Sequence, residues 1–263
     1  MTDPLLIERR GAVEVWTLNN PERRNPVTGT EFIATFAEHM ARVNDSGDVG
    51  AVVLTGAGSA FSTGGDVKAM ARREGMFDAD VAALRGSYRK NVQSIPRLMS
   101  LNEVPFVAAV NGPAVGAGCD LAFMCDLRIA SEKAFFAESF VKLGLIPGDG
   151  GAWFLPRGLP AARAAEMILT GDRVSATQAL EWGMLNDVVA PEALLERAVE
   201  LADRVAANSI PAVRMAKRLM RESARSDLGS VLELSAAMQV IAHQTDEHNR
   251  AMQAVLEPRK AGV

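Results

Sequence analysis

"AVGAGCDLAF", residues 114–123, decides how this chain is read. Three small residues, Gly116, Ala117 and Gly118, run into an apolar stretch that one acid, Asp120, interrupts. Small residues let a backbone come close to another group, because no bulky side chain stands in the way. An acid in so apolar a segment needs a partner or a task, since burying a lone carboxylate is costly. The segment follows a continuous apolar run, PFVAAV (105–110), and the breaker Asn111-Gly112-Pro113. That order predicts a buried strand, a turn and a helix starting near Gly116.

The same order occurs upstream. GAVVLT (50–55) reads as a second buried strand, followed by a loop rich in Gly and Ser from Gly56 to Gly65. Dinucleotide binding needs G-x-G-x-x-G there, and Gly56 and Gly58 fit but Phe61 stands at the third position. No G-K-[ST] is present for a phosphate loop. Taken together, the two glycine-rich segments suggest backbone N–H groups at two turns or helix starts. Such groups are unpaired and point outward. Two of them converging would form an oxyanion hole for a carbonyl oxygen that gains negative charge.

Composition narrows the classes. The chain has 263 residues, 48% hydrophobic and 23% charged, with a net charge of −4 and no long run of one sign. This fits a globular protein of one large or two modest domains, and argues against a nucleic-acid stripe or a polybasic membrane patch. No apolar run approaches membrane-spanning length. Cys119 and Cys125, six residues apart on one expected helix, are separated by about 9 Å along its axis, which disfavours a disulfide. With His39, His243 and His248 they form no ligand-like cluster, so no metal is expected. Free thiols and no visible signal peptide lead us to expect a cytoplasmic protein.

Leu5–Arg10 and Ala12–Leu18 flank Gly11 as a hairpin, and residues 29–43 carry helical spacing. Val81–Leu101 reads as one long helix that Pro96 kinks, with short strands at 127–130 and 134–136. From residue 160 helices dominate: 161–170, 175–183 with a Ser175 cap, 191–208, 210–223 and 228–256. The class change near 205–210 divides the chain into residues 1–205, mixed α/β with the site, and residues 206–263, all helical.

AFSTGGDV (60–67) and AAVNGPAVGAGCDLAFMCDLRIA (108–130) resemble the two signature segments of the crotonase, or enoyl-CoA hydratase/isomerase, superfamily. LGLIPGDGGAWFLPR (143–157), ILTGDRVSATQALEWGMLNDVV (168–189), RRNPV (23–27) and AVLEPR (254–259) extend the resemblance over essentially the whole chain. It implies an α/β fold, a repeated ββα spiral with a helical C-terminal trimerisation region, assembling as a homotrimer or a hexamer. It implies an acyl-CoA thioester substrate, whose coenzyme A is part of the substrate, with no separate cofactor.

Carried over by position, the resemblance makes the Gly65 and Ala117 amides the oxyanion hole, with the adjoining Gly64 and Gly116 giving the substrate close access, and Asp66 a structural tie. The segment around Arg24, Asn25 and Val27, the backbone near Ala60 and Ser62, and Lys68 would hold coenzyme A. For Arg24 and Lys68 an ordinary solvated charge is the other reading.

Hydratases of the family use two glutamates. The first position is Asp120 here, shorter by one C–C bond of ~1.5 Å. The second is Phe140, which cannot transfer a proton. Glu138, two residues before it, and Asp149, in PGDGG, are the nearby acids, and Glu138 and Phe140 are expected to contact the substrate. Asp149 is either a helix cap or a general acid/base, and Asp120 either a buried helix residue or a pocket acid.

Trp153 and Phe154 read as core or acyl-pocket wall, and Met124, Met167 and Met184 as core. Near the C-terminus, Val255 and Pro258 replace residues the family uses against coenzyme A, and Lys260 is a weak substitute. The expected activity is hydration or, more simply for a single acid, a double-bond shift through a thioester enolate. A carbon–carbon (β-diketone) hydrolase and a catalytically inactive acyl-CoA binder are the alternatives.

Overall fold

A computed structural model describes residues 3–256. The chain opens with the hairpin β1 (Leu5–Arg10) and β2 (Val13–Leu18), then α1 (Thr30–Asp45) and β3 (Ala51–Gly56). Helices α2 (Val67–Arg72), α3 (Val81–Lys90) and α4 (Ser94–Leu101) lead to β4 (Phe106–Val110), β5 (Ala114–Val115) and α5 (Ala117–Met124). Next come β6 (Leu127–Ser131), β7 (Phe135–Ala137), α6 (Gly151–Gly158), α7 (Ala161–Thr170), β8 (Val174–Ser175), α8 (Ala176–Glu181) and β9 (Asp187–Val189). The chain closes with α9 (Leu194–Ala206), α10 (Ile210–Ser223), α11 (Leu228–His243) and α12 (Asp246–Leu256).

Six strands form one sheet in the order β1-β2-β3-β4-β6-β9, parallel except for the antiparallel edge β1. The apolar runs predicted as buried strands are buried on both faces, as parallel strands usually are. Val52, Leu54, Phe106 and Ala108 face the main core with Phe36, Met99 and Leu121. Val13, Val15, Val53 and Val107 face the other way, under Leu194, Ala198 and Ala202 of α9.

A second layer runs alongside. The bridges Pro26–Gly64 and Ser62–Ala114 continue into the three-stranded sheet β5-β7-β8. Each turn of the chain lays one strand in the large sheet and one short extended segment in the second layer, then returns through a helix. This is the repeated ββα spiral.

Two boundaries differ from those expected. Residues 81–101 form two helices, and the break falls at 91–93, not at Pro96. Pro96 lies in the first turn of α4, where a missing N–H costs nothing. Residues 228–256 likewise divide at Gln244–Thr245, where the Thr245 hydroxyl accepts from the His248 N–H and starts α12. Ser175 caps α8 as expected, accepting from the Gln178 N–H.

Helices α10 to α12 lie outside the sheet layers, and Met238 is their only buried side chain among the described residues. Arg214 ties α10 to the spiral by donating to the carbonyls of Val43, Asn44, Ser46 and Val49. On α11, Leu228, Leu232, Val240 and Ile241 are exposed. Val255 is also exposed, and Pro258 and Lys260 lie outside the described residues. No described helix is long and apolar enough to cross a membrane.

Candidate active site

The second layer brings the two glycine-rich segments together. Val115 donates to the Ser62 carbonyl, and Ser62 to that of Pro113. The fit allows no added atoms: a Cβ on Gly118 would stand 2.2 Å from the Ser62 carbonyl oxygen. A Cβ on Gly64 would stand 2.8 Å from the Ala117 nitrogen, and Gly64 has φ +78°. Gly116 (φ 54°) precedes α5, whose first residue is Ala117. Among the described residues, neither the Gly65 nor the Ala117 N–H has a hydrogen-bond acceptor. For Ala117 the reason is its place at a helix start.

Both residues line a cavity of about 610 Å³. Its walls are largely apolar, with Val67, Met70, Phe77, Val92, Phe140 and Leu145. Gly116 lies on the wall against the Phe140 ring, so the residue at the family's second acid position packs on the predicted oxyanion segment.

Asp149 also lines the cavity and is only 6% exposed. It caps nothing: Gly150 occupies the N-cap of α6, and no side chain caps that helix. This overturns the cap reading. Burial pushes its carboxyl up to about 6. Tyr88 on α3 lines the same cavity, and the Asp149 charge helps burial raise its phenol.

Asp120 takes the buried-helix reading, and Glu138 is placed otherwise than expected. Both are completely buried and neither is among the cavity-lining residues. Glu138 was expected as a substrate contact, but it turns inward beneath the floor toward Asp120. A Cβ on Gly151 would stand 2.2 Å from Asp120 Oδ1 and 2.9 Å from Glu138 Oε2. Burial, then the neighbouring Glu138 and Asp149, raise the Asp120 carboxyl well above its ordinary value. Burial pushes Glu138 up to about 7. Gly151→Ala forces a methyl into this contact and is expected to destabilise the fold by about 1–3 kcal/mol, measured by urea unfolding.

Four of the expected coenzyme A contacts are interior scaffold. Asn25 is 1% exposed, and its side-chain amide donates to the Ala57, Ala60 and Phe61 carbonyls. Ser62 Oγ donates to the Asn25 carbonyl, the Val27 N–H donates to that of Gly64, and Val27 and Ala60 are core. These side chains hold the loop in shape. Arg24 and Lys68 instead line an adjoining cavity of about 580 Å³, which shares Thr63, Gly65, Val67 and Val115 with the first. Asp66 caps α2, accepting from the Lys68 and Ala69 N–H groups, and pairs with Arg23.

Met124, Met167 and Met184 are core, and Phe154 packs against the core. Trp153 is exposed under the Arg157 guanidinium, and neither aromatic lines the cavity. Arg85, Tyr88 and Arg89, which motif matching does not single out, line the cavity from α3. Their signal is helical spacing, with Arg85, Tyr88 and Arg89 three and four residues apart on one face of α3.

The chain is similar to known proteins along essentially its whole length. Residues 8–262 match the family described as "Enoyl-CoA hydratase/isomerase". The Rhizobium meliloti "Probable enoyl-CoA hydratase" is 35% identical over 98% of this chain and 97% of its own length. The Syntrophomonas wolfei "Crotonyl-CoA hydratase" is 32% identical, covering 98% and 96%. A crystal structure of enoyl-CoA hydratase from Bacillus anthracis superposes with a TM-score of 0.89 at 30% identity, covering 97% and 96%. The spiral and its helical C-terminus are therefore those of the crotonase superfamily. Within it, the chain belongs to the enoyl-CoA hydratase/isomerase family.

Proposed function

We propose that the protein shifts a carbon–carbon double bond in an enoyl-CoA thioester through an enolate, with Asp149 as the proton carrier. The thioester oxygen accepts from the Gly65 and Ala117 N–H groups, and coenzyme A runs toward the cavity bordered by Arg24 and Lys68. Asp149 takes a proton from one carbon of the acyl chain and returns it to another. One observation carries this reading: of the three clustered acids, Asp149 alone lines the cavity that the two free amides also line. A single carboxyl suffices to carry one proton between two carbons, and its placement near neutrality suits that transfer.

Hydration is the second reading, favoured by the names of the relatives. It needs a water held by Asp149 and a second acid, and Phe140 supplies none. The exposed apolar residues of α11 support assembly as a homotrimer or a dimer of trimers, and the buried free thiols a reducing, cytoplasmic setting.

The test is a panel of short, branched, aromatic and long enoyl-CoAs in deuterated water with product identification. A shifted double bond with deuterium on the acyl chain supports the proposal, and a 3-hydroxyacyl product replaces it with hydration. Cleavage of a β-diketone replaces it with the hydrolase. Thioester binding without exchange or turnover identifies an inactive binder.

A further inference from the structure

The double-bond shift uses only one of three clustered acids, and the other two are the deepest. Asp120 on α5 and Glu138, directly after β7, are fully buried. None of their four carboxyl oxygens has a partner at good hydrogen-bond geometry, although the Gly151 N–H approaches Asp120 and the Cys119 thiol approaches Glu138. Their carboxyls converge where Gly151 lacks a side chain. Two carboxylates gathered at one buried point are acceptors only and repel each other, so a proton held between them relieves the contact.

The titratable surroundings are few. The Cys119 thiol of α5 lies against Glu138, and burial keeps it protonated. Asp149, just before α6, faces both acids, and its charge is felt by Tyr88 of α3. No salt bridge relieves Asp120 or Glu138.

We propose that Glu138 is a positioning residue: Asp120 and Glu138 hold their protons on each other beneath the floor, so the cluster's negative charge rests on the cavity-facing Asp149. The role rests on reading Asp149 as the proton carrier, and it makes Glu138 the partner of Asp120 in place of the absent acid at Phe140. Charge concentrates where solvent and substrate reach it, because a second buried carboxylate would be both desolvated and repelled. As pH rises past neutrality, Glu138 ionises and a second negative charge enters the cluster, opposing enolate formation next to it.

The experiment is infrared titration of the intact protein, following the C=O stretch of protonated carboxyls in the parent, Glu138→Gln and Asp149→Asn. The parent is expected to keep a protonated-acid band at pH 6 that fades near pH 7. Asp149→Asn keeps that band, and Glu138→Gln loses the portion that fades. A parent spectrum without the band at pH 6 overturns the proposal, and that measurement needs no variant.

A second readout is the pH profile of kcat/KM. Glu138→Gln is expected to retain the acid limb near pH 6, lose the inflection near pH 7 and leave KM unchanged. A profile superimposable on the parent's overturns the positioning role. Should no thioester turn over, the spectrum alone decides the protonation of the pair, and only the reading of Asp149 falls.

Discussion

Asp149→Asn is expected to lower kcat by roughly 10²–10⁴-fold, while leaving the Kd for a non-reacting acyl-CoA thioester within a few-fold. The carboxyl lines the cavity and has no structural duty, since it caps no helix. Asn keeps the shape but cannot carry a proton. Steady-state kinetics together with calorimetric binding of the thioester separate the loss of chemistry from a loss of binding. An equal drop in both would remove Asp149 from the reaction.

The same substitution has a signature in stability. Asp149 titrates at about 6 in the folded protein, above its ordinary 3.8. Its contribution is therefore fully present only well below pH 3.8 and is lost as pH rises through 6. Asn titrates nowhere, so the variant's stability relative to the parent is expected to climb by about 2 kcal/mol between pH 4 and pH 8. Urea unfolding across that range measures the difference. A flat difference would mean that the carboxyl is not held in an apolar setting.

Ala117→Pro is the second large effect, expected to reduce kcat/KM by roughly 10²–10³-fold or more. Ala117 opens α5, and proline is well tolerated at a first helical position. This N–H makes no hydrogen bond to lose, but the added ring carbon crowds Gly64, so the fold is checked first. The substitution removes the proposed oxyanion donor and places ring carbon where the thioester oxygen would sit in that reading. Circular dichroism checks the fold and thioester kinetics check the loss. An active, folded variant would move the oxyanion hole elsewhere.

Much of this architecture is legible in the amino-acid sequence alone. The paired apolar runs at 50–55 and 105–110 mark the parallel sheet, since side chains packed on both faces leave no alternation. The small residues at 116–118 mark a close approach, and Gly118 does make room for the Ser62 carbonyl. What stays hidden are side-chain directions on irregular backbone. Glu138 lies in the stretch between β7 and a 3-10 turn at Ser139–Leu143, where no period tells inward from outward. Asn25 and Ser62 match a motif, yet the motif says only that they are needed. Their hydrogen bonds show that the need is for the loop's shape. Helix breaks are misplaced where proline draws attention, although a proline in a first turn interrupts nothing.

The helix α3 buries none of its side chains fully, yet Arg85, Tyr88 and Arg89 form one wall of the cavity. The floor is built the opposite way, from amides and acids locked into the core. Substitutions on α3 therefore reshape the space offered to the acyl chain at little cost to folding, whereas changes to the floor endanger both fold and chemistry. A lineage with this architecture has one region free to drift and one held still. Its preference for acyl groups can diversify while the handling of the thioester is inherited unchanged.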